Sequence, residues 1–166
     1  MDVALGGTFD PVHDGHRALF ERAFELGDVT VGLTSDELAP KTRNVDRYIR
    51  PFEERARDLE AELATFAAEY GREFEIRSLN EPTGIATEPG FDALVVSPET
   101  ESGAEAVNRI RRERGLEPLQ VAVVDHVPAA DGSRISSTRI VRGEIDEHGN
   151  LTPEREGRPP ARGSGP

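Results

Sequence analysis

Cysteine is absent from these 166 residues, and lysine occurs once, at Lys41. The first absence excludes disulfides, a thiol nucleophile and cysteine-ligated metal sites. No apolar run approaches the roughly 20 residues that span a bilayer, and no basic amino-terminal segment leads into a continuous apolar core. A soluble cytoplasmic protein with no membrane partner is expected. Acidic residues outnumber basic ones, 32 to 20, for a formal net charge of -12, so no broad nucleic-acid footprint is expected. Acid excess beside near-absent lysine and many small apolar residues reads as halophilic adaptation, because high ionic strength screens such repulsion. A generic acidic surface is the alternative.

What is present alternates strand and helix. Apolar stretches at Met1 to Leu5, Val29 to Leu33, Glu73 to Leu79, Asp92 to Ser97 and Gln120 to Val124 read as strands. Between them, Leu19, Ala23 and Leu26 mark one helical face, and Ala104, Val107 and Ile110 mark another. Phe52, Ala56, Leu59, Leu63, Phe66 and Tyr70 form a continuous stripe on a helix beginning near Pro51, a good first helical residue. Arg47, Arg50, Arg55 and Arg57 around that start read mostly as solvated or salt-bridged. Five strands separated mainly by helices predict an α/β fold, a five-stranded parallel sheet with helices on both faces, in one domain over residues 1–149. Residues 150–166 are rich in Gly, Pro, Arg and Glu and read as a disordered polar tail.

The stretch GGTFDPVHDGH, Gly6 to His16, follows the first strand and leads into the first helix. Gly6 and Gly7 would let the backbone approach a ligand, and Gly15 would expose first-turn N-H groups to an anion. His16 would sit at the positive helix end; the helix field disfavours an imidazolium and a triphosphate favours one. A Gly-Gly pair alone is equally an ordinary turn. The stretch is neither the dinucleotide fingerprint nor a P-loop, since no Lys-Ser/Thr pair follows Gly15. Two imidazoles without further ligands make a poor zinc site, so no protein-held metal is expected.

Two further features point to phosphate. Lys41 lies in the polar segment Ser35 to Arg50, a mobile loop or short helix, where a flexible ammonium can swing onto a triphosphate. An exposed lysine without a role is the alternative. In ISSTRI, Ile135 to Ile140, Ser136 is a good helix N-cap, and Ser137 and Thr138 offer hydroxyls beside first-turn N-H groups. A simple helix cap is the competing reading; paired with the first loop, the motif suggests two anion sites at opposite ends of one sheet. His126 and His148 lack a supporting constellation and read as ordinary loop histidines.

The ordered set GGTFDxxHxGH, LTSDE at Leu33 to Glu37, Lys41, IRPFEER at Ile49 to Arg55, VVSPET at Val95 to Thr100, GLEPL at Gly115 to Leu119 and ISSTRI with RGEID at Arg142 to Asp146 resembles the archaeal type of phosphopantetheine adenylyltransferase. The resemblance runs to about Gly149. It implies the Rossmann-like nucleotidyltransferase fold and transfer of AMP from ATP to 4'-phosphopantetheine, giving dephospho-coenzyme A and pyrophosphate, with Mg2+ bridging ATP phosphates. It implies catalytic roles for Thr8, His16 and Lys41, and substrate or ATP binding by Gly6, Gly7, Thr8, Phe9, His13, His16, Lys41, Ser136, Ser137, Thr138 and Arg139. Ser97 to Thr100 stand where bacterial members carry an arginine-bearing motif, so pantetheine contacts do not transfer from those. Val141 interrupts the arginines expected after ISSTRI, which weakens a phosphate role for Arg142. Other acceptors of the superfamily (nicotinamide mononucleotide, flavin mononucleotide, a phosphorylated alcohol) and a non-catalytic nucleotide sensor are the alternatives, and the oligomeric state is open.

Overall fold

In the computed structural model, which describes residues 1–42 and 47–152, five strands form one parallel sheet. They are β1 (Asp2–Gly7), β2 (Asp28–Thr34), β3 (Phe74–Leu79), β4 (Ala93–Val96) and β5 (Gln120–Val123), in the order β3-β2-β1-β4-β5. The central strand β1 pairs with β2 over its whole length and with β4 through Val3 and Ala4. Its apolar run is buried on both faces, as a central parallel strand requires. The chain leaves β1 toward β2 and later returns to β4 on the other side. Between β1 and β4 the sheet therefore has the switch point at which such folds bind ligands, beyond the carboxyl ends of the strands.

Helices cover both faces. On one side α1 (Asp14–Leu26) and α2 (Phe52–Tyr70) close the main core, where Phe20, Phe24, Leu59 and Leu63 pack on Val3, Leu5, Val29 and Val31. On the other, Ala104 and Val107 of α3 (Glu101–Glu113) pack on Ala4, Leu94 and Val96. A small satellite core of Ala129, Ile135 and Ile145, with Ile140 and Leu151 against it, supports the short helix α4 (Ser137–Val141).

Several expectations shift in detail. The deepest face of α1 is Phe20, Ala23 and Phe24, with Leu19 and Leu26 only half-buried at its flanks. The helix begins at Asp14, three residues before Arg17, because His13 caps it. Pro51 is the residue just before α2 and not its first helical residue. In α3 the buried face continues through Asn108 and Arg111 instead of Ile110. The Asn108 amide accepts from Leu119 N at 2.7 Å and donates to Leu119 O at 3.1 Å. Arg111 donates to the carbonyls of Ala86, Glu88 and Glu117. Both side chains satisfy buried loop backbone, which an apolar residue would leave unpaired.

Part of the segment containing Lys41 is a short 3-10 turn, Ala39–Thr42. Leu151 bridges to Ile145, and the Thr152 hydroxyl donates to Gly143 O, so ordered pairing runs to residue 152. Residues 43–46 of the expected loop and residues 153–166 of the expected tail lie outside the described residues. Among the described residues no helix is long and apolar enough to cross a membrane.

Candidate active site

The loop leaving β1 is built around a ring. Phe9 adopts φ 50, uncommon for a residue with a side chain, and its phenyl group is buried. It meets His16 edge-on at 4.8 Å and Phe20 at 5.5 Å between ring centroids. A Cβ on Gly7 would lie 2.9 Å from the Phe9 ring. Neither Gly6 nor Gly7 has positive φ; at Gly7 the missing side chain makes room for Phe9. Phe9 thus sets the orientation of His16 from behind.

His13 and His16 form a capping box made of imidazoles. Nδ1 of His13 accepts from Gly15 N at 3.0 Å, and Nδ1 of His16 accepts from His13 N at 3.2 Å. In the usual box a hydroxyl and a carboxylate do this work. Here the acceptor nitrogens of both rings serve the helix, so each neutral ring carries its proton on Nε2. That ring edge is a hydrogen-bond donor, suited to an anionic oxygen.

The second motif adjoins the first. Ser136 caps α4, accepting from Arg139 N at 3.2 Å. The Ser137 hydroxyl donates to Pro11 O at 2.8 Å, tying ISSTRI directly to the loop after β1. The two segments expected to bind anions are therefore neighbours at one sheet edge, not at opposite ends. The five-strand order brings β4 beside β1, and the arm after β5 folds back across β4. Between them lies a cleft of about 530 Å³, lined by His13, His16, Ser136, Ser137, Thr138 and Arg139 among others. That volume falls within the few hundred to about 1,000 Å³ usual for small-molecule sites.

Other site residues lie beside the cleft instead of in its wall. Thr8 is buried, its Oγ1 2.9 Å from Thr34 Oγ1 at the end of β2. Lys41 is exposed on the turn that follows β2. Gly6, Gly7 and Phe9 support the loop from beneath. The groups thus divide: His13, His16 and the ISSTRI residues on the β4 side of β1, Thr8 and Lys41 on the β2 side.

Arg139, although it borders the cleft, is held by protein groups. Its guanidinium meets Asp131 at 2.5 Å and Glu144 at 3.1 Å and donates to Arg134 O at 3.1 Å. Burial acts to lower its pKa, but its hydrogen bonds to the two carboxylates outweigh this and raise it above the ordinary value. This pairing staples the arm before α4 onto the helix start.

Several residues of the site were not singled out as such in the sequence. Glu99, after β4, contacts Arg134, and His126 Nε2 lies 3.9 Å from Glu99 Oε1. His126 and Glu99 both line the cleft, so this histidine is part of the pocket wall. His148 packs on Asp14 at 3.1 Å, beside the start of α1. Buried Asp10 accepts from Arg50 N at 2.9 Å and from Arg50 Nε at 2.5 Å, while its carbonyl accepts from Arg47 at 2.9 Å. Arg55, one of the arginines read mostly as solvated or salt-bridged, is paired with Asp36 at 3.0 Å and is fully buried behind Thr8. The clustered arginines of RYIRPFEER were the available signal; nothing in their spacing showed which ones turn inward.

The cytidylyltransferase-like family model matches residues 4–143. A phosphopantetheine adenylyltransferase from Methanosarcina acetivorans is 45% identical over 157 residues, covering 93% of this chain and 97% of its own. One from Methanosarcina barkeri is 47% identical, covering 90% and 91%. The chain belongs to the phosphopantetheine adenylyltransferase family. A crystal structure of a protein with unknown function from Archaeoglobus fulgidus superposes with a TM-score of 0.66 at 36% identity, covering 82% of this chain and all of that one. The matched span of the family model ends at Gly143, just after α4, so it encloses both motifs of the cleft.

Proposed function

We propose that this protein transfers AMP from ATP to 4'-phosphopantetheine, forming dephospho-coenzyme A and releasing pyrophosphate, in the cytoplasm. The observation that carries this reading is the Ser137 to Pro11 hydrogen bond, which joins two phosphate-binding segments into one cleft at the sheet's switch point. It occurs in a chain 45% identical to a phosphopantetheine adenylyltransferase along almost its whole length.

The acceptor phosphate is anionic at neutral pH, so no strong base is required. Its oxygen attacks the α-phosphorus of ATP, a new P-O bond forms, and the bond to the β-phosphate oxygen breaks. The protein's part is alignment and stabilisation of developing charge. His16 donates from Nε2 to the α-phosphate and His13 supports the β-phosphate. Ser137 through its backbone N-H, and Thr138 through its hydroxyl and N-H, hold the β- and γ-phosphates, while the Ser137 hydroxyl stays on Pro11 O. On the β2 side, Thr8 orients the acceptor phosphate and Lys41 bridges the reacting groups.

Magnesium belongs to this reading as part of the ATP substrate. Among the described residues no cluster of three or more His, Asp or Glu side chains offers a metal cage. The cation would be carried on the triphosphate oxygens, where it neutralises charge. No residue is assigned to it.

The test is pyrophosphate release with ATP or CTP against a panel of acceptors, at high potassium chloride. Release with ATP and phosphopantetheine only, with dephospho-coenzyme A identified by mass, is the expected result. Equal turnover with nicotinamide mononucleotide or a phosphorylated alcohol would overturn the acceptor. Nucleotide binding without turnover would overturn catalysis.

A further inference from the structure

Arg55 is the largest fully enclosed side chain among the described residues, an unusual place for a guanidinium. Each edge of it is used. Nε donates to Arg50 O at 2.7 Å, Nη2 to Asp36 Oδ1 at 3.0 Å, and Nη1 to both Thr8 O and Thr34 Oγ1 at 3.3 Å. Thr34 is itself buried, and its hydroxyl lies 2.9 Å from that of Thr8.

The proton count around these groups has one satisfying solution. A guanidinium donates and cannot accept, so Thr34 Oγ1 accepts from Arg55. Among the described residues the other partner of Thr34 Oγ1 is Thr8 Oγ1. If Thr8 donated to Thr34, the Thr34 hydroxyl hydrogen would have nowhere to go, and a buried unpaired donor is costly. Thr34 therefore donates to Thr8. The Thr8 hydroxyl hydrogen is left for an acceptor outside this chain of bonds.

We propose that Arg55 is a positioning residue that, through Thr34, makes the Thr8 hydroxyl a dedicated donor to the phosphate of the acceptor substrate. This rests on the placement of Thr8 at the acceptor phosphate. An anionic oxygen needs a donor, and the ordered relay supplies it before the substrate binds. Without the relay, the Thr8 hydrogen divides its time between Thr34 and the phosphate.

The test is a double-mutant cycle read at saturating ATP and phosphopantetheine, with thermal midpoints measured in parallel. Thr8→Val is expected to lower kcat between about tenfold and a hundredfold, the range for a hydrogen bond to a charged group. Thr34→Val and Arg55→Lys are each expected to lower kcat by up to about tenfold with the KM for ATP within twofold, and Thr34→Ser to restore it. In the Thr8→Val background neither should reduce kcat further. Equal losses in both backgrounds, or wild-type kcat in Thr34→Val, would overturn the relay while leaving Thr8 in place. Wild-type kcat in Thr8→Val would overturn the role of Thr8 and the relay together. If Arg55→Lys does not fold, the Thr34→Val and Thr34→Ser pair decides the question.

Discussion

The imidazoles of His13 and His16 stack with centroids 3.8 Å apart and planes 22° from parallel, each giving its Nδ1 to a backbone N-H. The pair is thereby both a helix cap and a two-pronged donor. Protonating either Nδ1 would break a cap bond and bring positive charge to the positive end of α1. With its Nδ1 accepting from His13 N, a neutral His16 ring carries its proton on Nε2.

His16→Ala removes the donor that the proposed mechanism places at the α-phosphate. Turnover is expected to fall by two or more orders of magnitude, on the scale of losing one oxyanion donor. Stability should fall by only about 0.5 to 1.5 kcal/mol for the lost bond to His13 N. Steady-state pyrophosphate release and thermal melting check the two halves; near-normal turnover would remove His16 from the chemistry.

Gly15→Ala tests the cap itself. The new Cβ would stand 2.8 Å from the His13 Cε1 atom, so the ring must leave its cap. Loss of a cap costs about 1 kcal/mol, and alanine in place of helical glycine returns about the same. The melting temperature should therefore barely move while the KM for ATP rises. A large loss of stability with unchanged KM would show the opposite.

Lys41→Ala should separate function from stability most cleanly. The residue is exposed, so folding should change by less than about 0.5 kcal/mol. Transition-state stabilisation should fall by about 2 to 4 kcal/mol if it bridges the reacting phosphates. If kcat/KM is unchanged, Lys41 has no catalytic part.

Asp131→Ala tests whether Arg139 is a staple. Breaking a buried ion pair costs roughly 3 to 5 kcal/mol, and the remaining Glu144 contact places the expected loss near the lower end. The released arm carries Arg134 and the start of ISSTRI, so the KM for ATP should rise as well. Unchanged melting would mean the pair contributes nothing to the arm.

Glu88 gives a pH-dependent prediction. Hydrogen bonds from Arg77, chiefly the side-chain pair at 2.8 Å, hold its carboxyl below the ordinary 4.5. A depressed folded-state pKa adds stability above the unfolded value, which is lost as pH falls through the folded one. The melting difference between wild type and Glu88→Gln should therefore be constant above pH 4.5 and shrink to nothing below it. The difference should be small, since both partners are exposed. A gap that widens on acidification would contradict the pairing.

The alternation of apolar strands with 3.6-period helices was enough to determine the five strands and three main helices, because burial on one or two faces writes a period into the sequence. Phosphate chemistry was legible for a similar reason: glycines, imidazoles and hydroxyls cluster at the ends of elements. Spatial neighbourhood was not. Only the β3-β2-β1-β4-β5 order placed ISSTRI against the first loop, through one bond from Ser137 to Pro11, and brought two motifs that the sequence reads as separate together in one cleft. Inward-turned polar groups were equally hidden. Arg55, Asn108 and Arg111 serve backbone and hydroxyl groups brought to them by distant segments, and a charged residue carries no sign in its own sequence of which carbonyls it will meet. Local chemistry is encoded locally; the satisfaction of buried polar groups is decided only when the chain closes on itself.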